Sequence, residues 1–264
     1  MTKVSVITTS YNGAKFIKKA IESVIVQDLE AKEYIIVDDC STDETGKIID
    51  VYAKKYDWIK VIHNPKNMER AISRNTAIAE AKGEYIAFLD DDDVWCNPTK
   101  LKKQVEFLEK HPHHSMVGTH VFFVDEHYNK TGKYIIIKEH DTPIRNTLLK
   151  SNQFIFATVM CRKNDLQKVG GFVDGEFLAE DYELWLKLGK LGKFANLKQK
   201  MVWYMDRMHN TSNRNTFKLE RKSLQVAWKY RHDYPRAYRS IFSRLLSLII
   251  PKKIYEWKAK LLKM

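Results

Sequence analysis

The 264-residue chain has few cysteines and no long apolar run. Its three cysteines, Cys40, Cys96 and Cys161, match neither a zinc pattern nor a disulfide framework, which indicates a reducing compartment. Cys96 follows an acidic cluster and could be a ligand, although packing or surface exposure is the simpler interpretation. No stretch reaches the roughly 20 apolar residues that a membrane span needs. The longest, 245–250, ends at Pro251.

Two nucleotide-binding signatures and a secretion signal are also missing. The chain contains neither G-x-G-x-x-G nor G-x-x-x-x-G-K-S/T, which excludes ordinary dinucleotide and P-loop sites. Residues 1–3 lead directly into a strand-like run, so we expect no signal peptide and a cytoplasmic protein.

Acidic residues are scarce towards the C-terminus, and this unbalances the charge. The net charge is +12; residues 207–264 hold 15 Lys/Arg against 3 Asp/Glu, whereas residues 1–206 hold 30 of each. This asymmetry predicts an anionic partner, either a membrane surface or a nucleic acid. Two helices are predicted, 217–234 and 236–250, and the second carries an apolar stripe beside arginines, which is typical of helices on anionic bilayers. We expect a peripheral protein on the cytoplasmic face of the membrane. Alternatively, the stripe packs on the catalytic domain or forms a homodimer.

Apolar runs and helical patterns alternate through the first hundred residues. The predicted strands are 4–9, 34–37, 59–62 and 85–89. The predicted helices are 14–27, a helix after a Ser41–Glu44 capping box, and 70–81. Later segments predict helices at 100–110 and 179–191, strands at 116–124, 134–137 and 154–161, and a turn at 170–172. Continuous apolar strands between amphipathic helices predict an α/β fold with a parallel sheet covered on both faces.

Polar clusters follow three of these strands, at 8–13, 38–39 and 90–93. Ligands of parallel sheets bind beyond the carboxyl ends of the strands, so three clusters at one edge predict a site. The last cluster is four consecutive aspartates, whose carboxylates repel one another and are costly to desolvate. They suit Mg²⁺ or Mn²⁺, whereas the alternative is a solvated acidic turn. Glu180 and Asp181 open a predicted helix, where the helix dipole alone favours acidic side chains.

Six segments carry a resemblance to a known family. They are VSVITTSYN (4–12), VDDCSTD (37–43), SRN (73–75), GEYIAFLDDDD (83–93), GGF (170–172) and ED (180–181). Together they resemble family 2 glycosyltransferases, which have an A-type nucleotide-sugar-binding fold. The resemblance covers about residues 4–212 and implies a Rossmann-like, mostly parallel α/β catalytic domain at 1–212. Its nucleotide-binding half would be 1–97 and its acceptor-binding half 98–212, followed by a basic amphipathic helical tail at 213–264.

The resemblance implies a donor site in the first half. Thr9 and Tyr11 would lie against the nucleotide. Asp39 would accept a hydrogen bond from the base ring, and Arg74 would approach the nucleotide or its phosphates. The donor would be a nucleotide diphosphate sugar, with a UDP-sugar favoured.

The resemblance also implies a site for Mn²⁺ or Mg²⁺. Asp90 and Asp92 would form a D-x-D element, with Asp92 as the direct ligand and Asp93 as a helper. Asp91 belongs to the donor site or, alternatively, faces water. His209 is a further candidate metal ligand, unless it is a solvated loop residue.

Asp181 would be the catalytic base, and Glu180 is a neighbour that could share this role. A carboxylate on the side of the sugar opposite the leaving diphosphate can take the proton of an acceptor hydroxyl. This arrangement fits inversion of the anomeric centre without a covalent intermediate. Arg207 could supply further positive charge to the leaving group.

Two departures from the family pattern leave local geometry open. Glu69 stands where the family often has Gly, and the segment 94–98 is one residue longer than usual. The register of the four aspartates within the D-x-D element is therefore open. The Gln-x-x-Arg-Trp element of processive members is absent, which favours a distributive enzyme.

We therefore expect an inverting, metal-dependent glycosyltransferase that acts on a hydroxyl of a glycan or lipid-linked glycan in cell-surface polysaccharide synthesis. A rival is a sugar-nucleotide pyrophosphorylase, which relies on a Gly-rich loop with basic residues; the loop 9–13 has one Gly and no Lys or Arg. A second rival is a nucleic-acid-binding protein that uses the basic tail. It leaves the acidic cluster unexplained, because carboxylates repel phosphate, so we expect no nucleic-acid partner.

Overall fold

The computed structural model describes residues 2–175, 178–206 and 216–249. In the first half, four strands alternate with three helices, as the apolar pattern predicts. The strands are β1 (Val4–Ser10), β2 (Lys32–Asp38), β3 (Ile59–His63) and β4 (Tyr85–Phe88). The helices are α1 (Ile17–Ile25), α2 (Thr45–Lys55) and α3 (Arg70–Glu80).

The second half mixes shorter and longer elements. It begins with β5 (Val94–Trp95), α4 (Lys100–Lys110), β6 (His114–Val124) and α5 (Asp141–Leu148). A 3-10 turn (Phe156–Thr158) then leads into β7 (Met160–Arg162), α6 (Lys163–Lys168), α7 (Glu180–Gly189) and β8 (Lys193–Met205). Two further helices are α8 (Thr216–Lys229) and α9 (Ala237–Ile249).

The strands form one sheet in the order β3-β2-β1-β4-β7-β6-β8-β5. The first four strands are mutually parallel, as are β6 and β8, whereas β7 and β5 run antiparallel to their neighbours. Alternate strand residues face two apolar cores. Ile35 and Val37 pack in one core with residues of α3, α7 and α8, and Tyr34 and Ile36 in the other with residues of α1 and α4. The predicted α/β fold with a mostly parallel, two-sided sheet is confirmed.

One predicted strand, 134–137, is wrong, and another, 154–161, is too long. Residues 134–137 form no strand, although β7 covers one edge of β6 only at Met116 and Val117; the returning chain makes a single bridge, from Lys130 to Val124. Of the predicted strand 154–161, only the end pairs, as β7. The preceding residues turn into the core, where Phe156 stacks on Phe88 with ring centroids 4.9 Å apart.

The predicted capping box before α2 is not formed. The helix begins at Thr45, so Glu44 precedes the helix instead of standing inside its first turn. Glu44 is the N-cap residue but makes no capping hydrogen bond, and the Thr45 N–H instead donates to Asp43 Oδ1 at 3.0 Å. Ser41 Oγ instead accepts the N–H of Asn12 at 2.9 Å, which connects the loops after β1 and β2.

Helices α8 and α9 pack partly on the rest of the chain. The Tyr230 hydroxyl bonds Glu183 Oε1 at 3.1 Å, and the Tyr234 hydroxyl donates to the Leu186 carbonyl at 2.7 Å. The apolar stripe is therefore divided, with Ile241 buried among the core residues and other members of the stripe exposed. No helix of the described segments has the length and hydropathy to cross a bilayer.

Candidate active site

The three polar clusters meet at the carboxyl edge of β1, β2 and β4. Ser10 connects them, since its carbonyl accepts the Asp39 N–H at 2.8 Å and its hydroxyl donates to Asp91 Oδ2 at 2.5 Å. Gly13 allows this close approach, because a Cβ atom there would lie 2.2 Å from Asp91 Oδ2. The clusters thus form one connected site, and its first loop requires glycine.

Asp39 is fixed by the segment that precedes and opens α3. Its Oδ1 accepts hydrogen bonds from Asn64 Nδ2 at 2.7 Å, the Met68 N–H at 2.8 Å and Ser73 Oγ at 2.9 Å. No residue in the described part of the chain donates to Oδ2. This second oxygen is therefore the one that a ligand would meet.

Thr9 and Tyr11 lie at the same edge of the sheet. Thr9 is half-buried near the end of β1 and pairs in register with Val37. Tyr11 is 52% exposed, and it follows Ser10, whose carbonyl accepts the N–H of the buried Asp39. The contact of these residues with a nucleotide stays a prediction.

The four aspartates form a turn in which the Asp93 N–H donates to the Asp90 carbonyl at 3.3 Å. Asp91 is half-buried and its Oδ2 accepts the Ser10 hydroxyl, and its place in the donor site stays a prediction. The Asp91 carboxyl fills the glycine-lined space beneath the first loop. Burial, followed by the charge of Asp92, raises the pKa of Asp91 to about 7.

Asp93 is buried, and its Oδ1 accepts the N–H of Met205 at the end of β8 at 2.8 Å. Its Oδ2 is buried without a hydrogen-bond partner. Burial and then the charges of Asp92 and Asp90 raise the pKa of Asp93 well above its usual range. This crowding of carboxylates fits a nearby cation, which would relieve their repulsion.

The described residues contain no group of three or more His, Cys, Asp or Glu placed to hold a metal by themselves. Mg²⁺ and Mn²⁺ commonly use one or two carboxylates and complete their shell with water and substrate phosphate. The aspartate turn therefore fits a cation that binds together with a diphosphate.

Arg74 lies on the buried face of α3 and is 2% exposed. Its two terminal nitrogens donate to Glu180 Oε1 at 3.0 Å and to Asp90 Oδ1 at 3.1 Å. Its guanidinium carbon lies 3.7 Å from the ring centroid of Phe156 and 5.4 Å from that of Phe172. Arg74 thus joins the aspartate turn to the start of α7, and its predicted contact with the nucleotide stays a prediction.

Glu180 and Asp181 begin α7 but have different partners. Glu180 is buried and paired with Arg74, whereas Asp181 accepts the Tyr182 N–H at 2.7 Å and the Asn152 side-chain amide at 3.2 Å. Burial, followed by the charge of Glu180, raises the pKa of Asp181 to about 6. Of the two carboxylates, Asp181 is therefore the one suited to accept a proton near neutral pH.

A cavity of about 550 Å³ borders Asp181. Its wall also includes Asp90, Glu180, Arg74, Lys150, Asn152, Tyr204, Leu219 and Ser223. The cavity therefore connects the aspartate turn with the predicted base, and helix α8 contributes to its wall. Its volume is in the range of small-molecule sites.

Three residues of this site are missing from the sequence prediction. Arg70 lies one turn before Arg74; burial disfavours its charge, but the surrounding carboxylates, led by Asp90, raise its pKa overall. The spacing of four residues between Arg70 and Arg74 could have predicted this, because it places both side chains on the same face of α3. Tyr204 and Asn152 give no local signal, because they reach the site through distant segments.

Two predicted residues, Arg207 and His209, lie outside the described residues. The ends of β8 and α8 flank them in the chain, at Met205 and Thr216. Their predicted roles toward the leaving group and the metal stay predictions.

The sequence model of the family described as "Glycosyl transferase family 2" matches residues 5–170. The chain belongs to glycosyl transferase family 2. Among its relatives in Bacillus subtilis (strain 168), it is 37% identical over 193 residues to "Putative glycosyltransferase EpsE", covering 72% of this chain and 68% of EpsE. It is 33% identical over 224 residues to "Putative teichuronic acid biosynthesis glycosyltransferase TuaG", covering 83% of this chain and 85% of TuaG.

A solved structure agrees with the family 2 assignment. S. aureus TarS 1–349 in complex with UDP superposes with a TM-score of 0.66 at 25% identity, covering 85% of this chain and 65% of TarS 1–349. The chain thus spans somewhat less than two thirds of that protein's length. The A-type fold and the glycosyltransferase class are confirmed.

Proposed function

We propose that this family 2 glycosyltransferase transfers a sugar, with inversion, from a nucleotide diphosphate sugar to an acceptor hydroxyl. The observation that supports this is that Asp181 and Asp90 border one cavity, with Arg74 bound to Asp90 and to the neighbour of Asp181. Asp181 takes the proton of the acceptor hydroxyl while the oxygen of that hydroxyl forms a bond to the anomeric carbon. The electron pair of the broken sugar–oxygen bond leaves with the diphosphate on the opposite face.

The proposed metal is Mn²⁺ or Mg²⁺, held by Asp90 and Asp92 with help from Asp93. When bound, it would neutralise charge on the leaving diphosphate. The partnerless oxygen of Asp93 and the crowded carboxylates around it support this part of the proposal. His209 and Arg207 are proposed as a further metal ligand and a further cation.

The donor is proposed to be a UDP-sugar. Asp39, with one oxygen saturated by protein donors, would present its other oxygen to the base ring N–H. Thr9 and Tyr11 would border the same nucleotide. The similarity to TarS in complex with UDP, at 25% identity, supports this choice.

The acceptor is proposed to be a glycan or lipid-linked glycan in cell-surface polysaccharide synthesis. The similarity to TuaG, whose name refers to teichuronic acid biosynthesis, supports this. Residues 1–97 would bind the nucleotide and 98–212 the acceptor, with 213–264 as a basic tail. Helix α8 belongs to this tail and forms part of the cavity wall, which implies that the tail also borders the acceptor.

The tail is further proposed to rest on an anionic membrane surface. Along α9, Tyr238, Phe242, Leu245 and Leu246 are exposed by 62%, 62%, 39% and 36%. These four residues follow one another at helical spacing, and the chain around them is rich in Lys and Arg. The proposal is tested by vesicle sedimentation of the full chain carrying Phe242→Ser and Leu245→Ser.

The membrane proposal would be supported if the variant with Phe242→Ser and Leu245→Ser no longer bound phosphatidylglycerol vesicles. The control Val51→Ser, on the exposed side of α2, should still bind them. Unchanged vesicle binding would contradict it. A shift from dimer to monomer in light scattering, without any vesicle effect, would instead assign the stripe to a second copy.

The function is tested with a panel of UDP-, GDP- and dTDP-sugars, each with Mn²⁺, Mg²⁺ or EDTA. We expect metal-dependent release of UDP and a metal-dependent rise in Tm with one UDP-sugar. Turnover that EDTA leaves unchanged would contradict the metal. Turnover of a nucleoside triphosphate with a sugar phosphate would favour a pyrophosphorylase, and salt-sensitive nucleic-acid binding without turnover would favour the binding protein.

A further inference from the structure

Asn152 lies in the segment between α5 and the 3-10 turn, and its side chain contacts the predicted base. Its Nδ2 donates to Asp181 Oδ2 at 3.2 Å, and both residues border the same cavity. The other oxygen of Asp181 accepts the Tyr182 N–H at 2.7 Å. One oxygen of the base is thus held by its own helix and the other by a distant segment.

The orientation of the Asn152 amide is fixed by a second hydrogen bond. Its Oδ1 accepts the N–H of Phe154 at 3.0 Å, so the NH₂ group must face Asp181. Phe154 is 2% exposed and packs against Trp185 of α7, with ring centroids 6.3 Å apart. The donor to Asp181 is therefore anchored in the same core that carries α7.

The other groups around Asp181 do not replace this contact. Glu180 and Asp90 are carboxylates and oppose its ionisation, whereas Arg74 favours ionisation but gives its terminal nitrogens to those same two carboxylates. Arg70 and Lys150 also border the cavity. Among the described residues, Asn152 is the only side chain that donates a hydrogen bond to the Asp181 carboxylate.

We infer that Asn152 is a positioning residue that orients the Asp181 carboxylate toward the acceptor hydroxyl and holds it ready to take a proton. This inference rests on the proposed function. A neutral amide can do this without adding positive charge that would weaken the base. A hydrogen bond to the ionised form of a carboxylate favours that form. Removal of the amide should therefore shift the acid limb of the rate profile to higher pH.

The test compares Asn152→Leu, Asn152→Gln and the exposed control Asn164→Leu in the full-length enzyme. The readouts are kcat against pH, KM for the donor and UDP binding. We expect Asn152→Leu to lower kcat about 10-fold, since hydrogen bonds to charged groups are the stronger class. We also expect it to move the acid limb up by about one pH unit, with UDP binding unchanged. Asn152→Gln, which keeps an amide, should recover part of both effects.

An unmoved acid limb in both Asn152 variants would overturn the inference, whether kcat falls or not, because a structural role would lower kcat without changing the titration. Failure of the proposed function gives a different result, since the wild type would then transfer no sugar or Asp181→Asn would remain active. Should Asn152→Leu not fold, the pH profile of Asn152→Gln decides whether the inference holds. The longer glutamine side chain moves the amide and must therefore alter its hydrogen bond to Asp181.

Discussion

Arg74 donates to Glu180 Oε1 at 3.0 Å, and this buried pair ties α3 to α7, the helix that carries the proposed base Asp181. The same guanidinium holds Asp90 Oδ1 at 3.1 Å. A planar fork can satisfy two carboxylates at fixed angles, which a lysine cannot do. The pairing also distinguishes two neighbouring acids that border the cavity, because it engages Glu180 and not Asp181.

We expect Arg74→Met to destabilise the fold by about 3–5 kcal/mol, because it leaves Glu180 as a buried charge without its main partner. Urea unfolding measures this change. Arg70→Met is the matched control, one turn earlier, where the distance to Glu180 is 4.0 Å and the arginine side chain is 45% exposed. If Arg70→Met lowered the free energy of unfolding as much as Arg74→Met does, the special role of Arg74 would be contradicted.

We expect Asp181→Asn to bind donor normally but to lose transfer by about 100-fold or more, the usual contribution of a general base. In the wild type, kcat should rise as the pH increases from 5 to 7, with its midpoint near the Asp181 pKa of about 6. The sign follows because only the ionised carboxylate can accept a proton. The measurement is kcat by UDP release across this pH range.

A residual acid limb near pH 6 in Asp181→Asn would assign the titration to another group. Asp57→Asn, at an exposed position, is the control and should retain the wild-type profile.

Local patterns were enough to predict the first half of the fold. Strands β1 to β4 are continuous apolar runs, and the polar clusters follow them at positions that a parallel sheet brings together. Contacts between distant segments were not predictable in this way. Asn152 meets Asp181 from 29 residues away, and the Met205 N–H meets Asp93 from 112 residues away.

The errors have the same origin. The apolar residues 134–137 have strand character, but the chain pairs with β6 only through the bridge from Lys130 to Val124, and Tyr134 and Ile136 remain exposed. Similarly, the hydrogen bond between Asp91 and Ser10 depends on space at Gly13, which adjacent aspartates in a sequence do not reveal.

We expect Asp91→Asn to stabilise the metal-free protein at pH 8, by on the order of 1 kcal/mol. Because the folded-state pKa of Asp91 is raised to about 7, its ionisation disfavours folding increasingly from the unfolded-state pKa of about 4 upward, and fully above pH 7. An amide can still accept the Ser10 hydroxyl through its oxygen. The difference from wild type should be smaller at pH 5, where Asp91 is protonated in the fold but ionised in the unfolded chain, and should disappear only near pH 4 and below.

Thermal unfolding at both pH values measures this effect, with Asp57→Asn as the control. Equal stabilisation at pH 5 and pH 8 would contradict charge repulsion as the cause. Mn²⁺ at pH 8 should reduce the advantage of Asp91→Asn, because a cation screens the same charges in the wild type.

Glu69 provides a last prediction, because it stands where the family often has Gly and has φ 68° and ψ 157°. Residues other than glycine are strained in this region, at a cost of roughly 1–3 kcal/mol. We expect Glu69→Gly to raise the free energy of unfolding by about 1 kcal/mol, less than the strain because glycine also gains freedom in the unfolded chain. Glu69→Ala removes the same charge but keeps the strain, so it should not stabilise. Urea unfolding of the two variants measures the difference, and equal stability of both would show that the backbone at this position is not strained.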